Sequence, residues 1–399
     1  MQNQTGKKPL RVKILPPNPE NFKILAQAIQ KGEVVGMPTE TVYGLAGDCF
    51  NSLALARIFE TKERPTFDPL IVHVGQAAQG APMGPMGVEE LERQGIIDSS
   101  RLGSNSRNLI DRLIQAFWPG PLTLIFPKNH RIPDLATSGL STVAVRMPEH
   151  PLALALIAAC QRPLAAPSAN RFGRISPTSA QAVAEELGDR IDWILDGGSC
   201  DIGLESTILS VNPSNSLDVR ILRAGGCPKE RIEEVLGFGV MDPLANPSVT
   251  PEAPGMLESH YAPNKPFILL AQPLSKLSDS ELSLVFSNLA DKFFGDLTHS
   301  KSVIKGKDKL KVGLLLISGD PEVAISRISP LTETPVLARS LSRNNDLRES
   351  AHSLFSEMRW LDSSPASIIL VEPCQVQEGL GYAIADRLRR ASAGSRKYS

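Results

Sequence analysis

Val34-Val35-Gly36-Met37-Pro38-Thr39-Glu40-Thr41-Val42-Tyr43-Gly44-Leu45 carries the pattern that the rest of the chain repeats. Its first residues, Val34 to Met37, form an apolar run that reads as a short buried strand. The strand opens directly onto a turn of small hydroxyl residues, where Thr39 and Thr41 either cap the turn or face a ligand. Upstream, Ile24, Leu25, Ala28 and Ile29 share one face of a helix predicted over Asn21 to Lys31, which Gly32 closes. Downstream, a helix from Leu53 to Thr61 should stop near Lys62, because Pro65 biases Arg64 toward extended geometry. Pro69 to Val74 then reads as another buried strand. The alternation continues with helix 108–117, strands Leu122 to Phe126 and Thr142 to Arg146, helix 151–160 and strand Pro163 to Ala166. Helix 178–187 and strands Trp193 to Asp196, Ser206 to Val211 and Asp218 to Leu222 follow. Short apolar strands alternating with helices predict an α/β fold.

Two regions interrupt the pattern. Residues 75–107 are glycine-rich and lack a sustained period apart from an acidic helical stretch near Val88 to Gln94, so they read as an insertion in a surface loop. Val240 to Pro266 holds six prolines and little apolar content, as a semi-rigid linker would. Beyond it a second α/β unit is predicted: strand 267–271, helix 279–294, strand Val312 to Ser318, helix 345–360 and strand Ile368 to Glu372. The expected organisation is therefore a domain at 11–239 with the insertion 75–107, a linker at 240–265 and a smaller domain at 266–399. Lys301, Lys305, Lys307, Lys309 and Lys311 form the densest basic run, either a solvated loop or a contact to phosphate.

The chain has 399 residues, more than one core usually sustains, which agrees with two domains. Its formal charge of -1 argues against a nucleic-acid coat or a membrane-surface binder, both of which need a basic excess. Aromatics at 5% disfavour a base-stacking platform. The longest purely apolar run, Leu152 to Cys160, is nine residues and far short of a membrane span. The polar, basic start from Met1 to Arg11 does not resemble a secretory signal. Cys49, Cys160, Cys200, Cys227 and Cys374 are scattered and odd in number, which suits reduced thiols and a cytoplasmic protein rather than a disulfide framework or a structural zinc. No Gly-x-x-x-x-Gly-Lys-Ser/Thr, His-Glu-x-x-His or Gly-x-Ser-x-Gly pattern occurs.

Small polar and cationic residues gather instead at predicted strand ends. Lys62-Glu63-Arg64-Pro65 puts two cations two residues apart, on one side of an extended segment, where they could clamp one polyanion. In Thr142-Val143-Ala144-Val145-Arg146-Met147-Pro148, alternation sets Thr142, Ala144 and Arg146 on one face. An arginine facing inward from a buried strand must meet an anion, either a structural carboxylate or a bound ligand's. Ala165-Ala166-Pro167-Ser168-Ala169-Asn170, running on to Arg174-Ile175-Ser176-Pro177-Thr178, offers close backbone approach with hydroxyl and amide donors suited to phosphate oxygens. Glu205-Ser206-Thr207 and Leu222-Arg223-Ala224-Gly225 add to this set. The linker carries Pro254-Gly255-Met256-Leu257-Glu258-Ser259-His260-Tyr261-Ala262-Pro263, a composition suited to a lid. Together these residues predict a site for an anionic nucleotide and a small carboxylate.

The same stretches, with Pro69-Leu70-Ile71-Val72-His73 and Trp118-Pro119-Gly120-Pro121-Leu122-Thr123, resemble the threonylcarbamoyl-AMP synthase family with its YrdC-like fold. His260-Tyr261-Ala262-Pro263 and Gly379-Leu380-Gly381-Tyr382-Ala383-Ile384 with Arg387 are similar to the long, two-domain form, so the resemblance spans nearly the whole chain. It implies a YrdC-like twisted mixed sheet with flanking helices and a smaller C-terminal Rossmann-like α/β domain. It also implies a reaction of L-threonine, bicarbonate and ATP giving threonylcarbamoyl-AMP and pyrophosphate, for threonylcarbamoyladenosine in tRNA. Magnesium would arrive with ATP, no dedicated metal site is expected, and a partner transferase would act downstream with tRNA contact at most indirect. Carried over by position, Thr41, His73, Arg146, Ala166 and Ser206 would hold threonine. Arg64, Asp68, Thr142, Ser168, Ser176, Arg223 and Tyr261 would hold ATP, while Lys62, Arg64 and Asn170 would stabilise charge during the reaction.

Two departures from the family pattern stand out. Asp68 occupies a position where the family often has Asn, and a carboxylate beside ATP is repulsive unless a metal or Arg64 compensates. Ala224 replaces the Pro of the Leu-Arg-Pro-Gly pattern. Two other readings compete with the synthase. A carbamoyl-adenylate-forming relative would carry cysteine-rich zinc segments, and this chain has no Cys-x-x-Cys. An RNA-binding YrdC-like protein without turnover would use the cation-lined surface for a backbone, and the charge of -1 disfavours it.

Overall fold

A computed structural model describes residues 12–75, 86–243, 253–254, 260–298, 311–332 and 335–398. The basic run Lys301 to Lys309 and the linker residues Gly255 to Ser259 lie outside these.

Ten strands form one twisted mixed sheet among the described residues. They are β1 (Lys13–Leu15), β2 (Val35–Met37), β3 (Gly44–Asp48), β4 (Ile71–His73), β5 (Leu122–Pro127), β6 (Thr142–Arg146), β7 (Leu164–Ala165), β8 (Trp193–Leu195), β9 (Thr207–Asn212) and β10 (Asn215–Arg223). Their spatial order is β1-β8-β2-β3-β7-β4-β6-β5-β9-β10. β4 runs parallel to β6 with His73 opposite Arg146, and β5 runs parallel to β9. The two threonines of the opening stretch therefore sit in the turn joining antiparallel β2 and β3. Along β6 the expected alternation holds: Val143 and Val145 enter the main core, while Ala144 packs on the other face with Ile71, Ile208 and Leu222.

Helices cover the sheet where the sequence period requires it. Helix Pro19–Gln30 starts where the Asn18 side chain accepts the Asn21 amide at 2.9 Å, and it buries Leu25, Ala26, Ala28 and Ile29. Helix Ser52–Lys62 is capped by Asn51 and stops at Glu63, whose φ of 54° is left-handed. The turn corrects the expectation of an extended Lys62–Arg64 segment: Lys62 is the last helical residue, and a left-handed step separates the two cations.

The reading of 75–107 as a surface loop is also corrected for its described part. The helical stretch expected near Val88 to Gln94 is present as helix Val88–Arg93, but Val88, Leu91, Ile96 and Ile97 are fully buried in the main core. Helix Ser104–Phe117 then begins four residues before the predicted start. Single apolar anchors separated by glycine and polar residues bury well without producing a period, so the pattern concealed a packed segment.

The C-terminal unit has a four-stranded parallel sheet, ordered β11 (Phe267–Leu269), β14 (Ile368–Val371), β12 (Val312–Ser318) and β13 (Leu337–Ser342). Both faces are covered: Leu315 and Ile317 pack on one side, Leu314 and Leu316 on the other, as a doubly wound sheet requires. The two units share a core. Val42, Ile175, Leu204 and Ala224 of the first cluster with Tyr261 and with Leu354, Phe355 and Ile384 of the second. Gly203 makes the approach possible, since with φ of 77° an added Cβ would lie 2.6 Å from backbone atoms of Ala351 and His352. Arg359 pairs with Glu186 at 2.9 Å and Arg174 with Asp362 at 3.1 Å across the same interface.

Candidate active site

The strand ends converge on one cavity between the N-terminal unit and the linker. β4 delivers His73, β6 delivers Arg146, the segment after β7 delivers Ala166 and Ser168, and β10 ends at Arg223. Thr41, Arg64, Glu205 and Ser206 complete this wall, and Pro254, His260 and Tyr261 close the opposite side. Of the residues predicted from sequence, Lys62, Asp68, Asn170, Ser176 and Thr142 do not line the cavity. The first four stand behind it, buried. Thr142 is partly exposed at the far end of β6 from Arg146, a separation of about 13 Å at ~3.3 Å per residue.

At one end Arg146 is fully engaged by its own unit. Its Nη1 donates to Thr41 Oγ1 at 2.8 Å, its Nε donates to the Gly120 carbonyl at 3.0 Å, and its Nη2 ion-pairs with Glu40. The structural carboxylate and the ligand-facing position are therefore both realised, since Arg146 pairs with Glu40 and lines the cavity too. Thr39 is the turn cap: its Oγ1 donates to the Val42 carbonyl at 2.6 Å and accepts the Val42 amide at 3.2 Å. His73 is buried beside Arg146, and burial followed by the arginine's charge lowers its pKa to about 3. It is neutral at physiological pH.

At the other end, Arg64 donates from Nε to the Asp68 carbonyl at 3.0 Å and from Nη2 to the Pro69 carbonyl at 2.7 Å. It also pairs with the Asp68 carboxylate at 2.9 Å, which answers the question of what compensates Asp68. Burial raises the Asp68 pKa, against the pull of Arg64, Lys62 and Arg223. The Lys62 ammonium donates to the carbonyls of Ser168 (2.5 Å) and Asn170. Burial first and Arg64 second hold its pKa well below the ordinary lysine value. His260 is likewise lowered by burial and then by Arg64 and Lys62. Burial is the largest cause of each shift and disfavours charge on Lys62, His260 and Asp68 alike, and a bound anion would favour the charged form of Lys62.

Between the two ends, Arg223 donates to the Ser206 carbonyl at 3.0 Å and to the Pro254 carbonyl at 3.3 Å. Ser206 Oγ meets Thr123 Oγ1 at 2.7 Å. Gly225 is required here, because an added Cβ would sit 2.3 Å from the Glu205 carbonyl. Ala224, where the family pattern has Pro, packs in the shared core. Among the described residues, no three or more His, Cys, Asp or Glu gather as a metal site, and no helix is long and apolar enough to cross a membrane.

Sequence reasoning missed three participants. Glu40 stands in the opening motif without a role, although an inward arginine elsewhere in the sheet demands a carboxylate. Glu205 accepts Ser176 Oγ at 2.6 Å and Arg387 Nε at 3.1 Å, and Arg387 comes from the C-terminal unit. No local pattern signals a pair 182 residues apart.

Comparison with known proteins agrees with this architecture. The telomere-recombination family profile, which groups Sua5, YciO and YrdC, matches residues 27–225. The profile described as the threonylcarbamoyl-AMP synthase C-terminal domain matches residues 227–393. The chain is 37% identical over 373 residues to a threonylcarbamoyl-AMP synthase of Pyrococcus abyssi, covering 93% of this chain and 94% of that one. A synthase of Bacillus subtilis is 34% identical over 371 residues, covering 92% of each. The crystal structure of P. abyssi Sua5 complexed with L-threonine superposes with a TM-score of 0.72 at 34% identity, covering 96% of this chain and 98% of that one. With both family profiles matched in order and relatives aligned end to end, the chain belongs to the threonylcarbamoyl-AMP synthase family.

Proposed function

We propose that the cavity holds L-threonine at its Arg146 end and ATP at its Arg64 end, and joins them through bicarbonate into threonylcarbamoyl-AMP. The observation that carries this reading is that one cavity has a guanidinium and hydroxyl cluster at one end and the buried cations Arg64, lining it, and Lys62, behind it, at the other. Arg146 with Thr41 suits an amino-acid carboxylate, and Ser206 and the Ala166 backbone lie beside it as further contacts. Arg64, Ser168, Arg223 and Tyr261 suit a nucleotide triphosphate, with Lys62, Asp68, Asn170 and Ser176 supporting from behind. Thr142 would contact only the part of ATP farthest from threonine.

In this reading, bicarbonate takes up a proton and loses water to give CO2, and the threonine amine forms a bond to its carbon, releasing a proton and leaving a carbamate. A carbamate oxygen then attacks the α-phosphorus of ATP in line, and the bond to the pyrophosphate oxygen breaks. The protein contributes position and charge: Lys62 and Arg64 offset charge developing on the phosphates, and the buried setting strengthens each contact. Magnesium enters with ATP as part of the substrate. A transferase then moves the threonylcarbamoyl group to an adenosine beside the tRNA anticodon.

The test is pyrophosphate release by the purified chain with Mg–ATP, bicarbonate and single amino acids. Release that needs both threonine and bicarbonate is the expected outcome. Release without either one, or none with any amino acid, refutes the reading.

A further inference from the structure

Arg387 of the C-terminal unit stands behind the wall of this cavity, against two residues that line it, Glu205 and Tyr261. Its side chain is completely buried, on helix Gly379–Ser392, and it reaches across the interface into the N-terminal unit. Nε pairs with Glu205 Oε2 at 3.1 Å, and the guanidinium lies over the Tyr261 ring at 5.2 Å. Asp386 meets Nη1 at 3.3 Å, and Nη2 has no hydrogen-bond partner among the described residues. Each of these contacts has a continuation. The other oxygen of Glu205 accepts Ser176 Oγ at 2.6 Å. Tyr261 adopts a left-handed φ of 65°, costly for a tyrosine, and it packs edge-on with His260 and tilted against Phe355.

A fully buried arginine is expensive unless it performs work that an apolar residue could not. An apolar side chain of similar size would fill the same space in a core already rich in Leu354, Phe355 and Ile384. It would hold neither Glu205 nor the face of Tyr261. At the other end the Arg146 guanidinium is held within the N-terminal unit, by Glu40, Thr41 and the Gly120 carbonyl, and the C-terminal unit approaches that end through apolar packing on Val42.

We propose that Arg387 is a positioning residue for the nucleotide end of the cavity: it fixes Glu205, and through it Ser176, and seats Tyr261 against the site. The C-terminal unit thus supports the ATP half of the active site through a charged contact that the Arg146 guanidinium does not share. This inference rests on the assignment of ends made above.

The experiment measures KM for ATP and for threonine separately in full-length wild type, Arg387→Ala and Arg387→Lys. Arg387→Ala is expected to raise KM for ATP at least about tenfold while KM for threonine stays within about twofold. Arg387→Lys keeps the charge but loses the planar fork, so it is expected to recover part of the ATP affinity. Should Arg387→Ala fail to fold because Glu205 is left unpaired, the same split in Arg387→Lys decides the matter. Equal rises in both KM values, or an unchanged KM for ATP in the variants that fold, would overturn the proposal. If the unaltered chain makes no threonine-dependent product, the underlying reading has failed instead, so the two failures are distinguishable.

Discussion

The two ends of the cavity are built by different strategies. The Arg146 end is made wholly within the N-terminal unit: Arg146 and His73 lie opposite each other on β6 and β4, and Arg146 bonds to Thr41 and Glu40 of the β2–β3 turn. The Arg64 end is assembled from distant parts, with the helix ending at Lys62, the linker residues His260 and Tyr261, and Arg387 from the second unit. The first end is preorganised and nearly charge-balanced before a ligand arrives. The second draws on the linker and, through Glu205 and Tyr261, on the docked C-terminal unit.

Arg146→Ala should break the preorganised end most severely. It removes the proposed carboxylate partner and leaves Glu40 buried without a counter-ion, a loss of about 3–5 kcal/mol for a broken buried pair. We expect threonine-dependent pyrophosphate release to fall below detection and Tm to drop markedly in the same protein. An unchanged Tm would mean that Glu40 relaxes to water and that this end is less rigid than its bonds suggest. Lys62→Ala should be next in size. Losing one preorganised charge-stabilising group costs about 3 kcal/mol in the chemical step, roughly a hundredfold in kcat. Tm should fall less than in Arg146→Ala, because the lysine leaves only carbonyl acceptors behind.

Much of this contrast was legible in the sequence, and the omissions have physical causes. Short apolar strands followed at once by threonine, serine or arginine revealed the strand ends, because burial and polarity change abruptly there. β3 escaped notice because Gly44-Leu45-Ala46-Gly47-Asp48 has neither alternation nor β-branched residues, although every residue in it is buried. β13 escaped because Leu337 to Ser342 is a half-exposed edge strand rich in serine and arginine. The Lys62–Arg64 geometry was misjudged because proline restricts only the residue before it, and the helix had already ended in a left-handed Glu63. The carboxylates that complete the site, Glu40 and Glu205, are chosen by tertiary proximity, which spacing does not encode.

The burial of Lys62 gives a prediction for binding. Burial and Arg64 lower the Lys62 pKa in the free protein, and a bound polyphosphate favours the ammonium form, raising it again. A group whose pKa rises on binding takes up a proton, so ATP should bind more tightly as pH falls through the range between the two values. Calorimetry of ATP binding in buffers of different ionisation enthalpy should report net proton uptake, and Lys62→Met should abolish that component. Threonine binding should show no corresponding uptake from His73, whose pKa of about 3 keeps it neutral across the physiological range. Equal uptake with both ligands would erase the distinction between the ends.

The smallest expected effect lies at the linker's exit. Asp362 accepts the amides of Asn264 at 2.8 Å and Lys265 at 3.0 Å, and it pairs with Arg174 of the N-terminal unit at 3.1 Å. It therefore fixes the chain just after Tyr261 without touching the cavity. Asp362→Asn keeps one acceptor oxygen but loses the charge that holds Arg174, a change worth about 1 kcal/mol at a partly exposed site. We expect a two- to threefold rise in KM for ATP, with KM for threonine and kcat unchanged. A partial effect in that direction would mean that the nucleotide end feels linker position even where no ligand is contacted. A rise in KM for threonine instead would show that closure governs both ends together, and the division between a preorganised half and an assembled half would not stand.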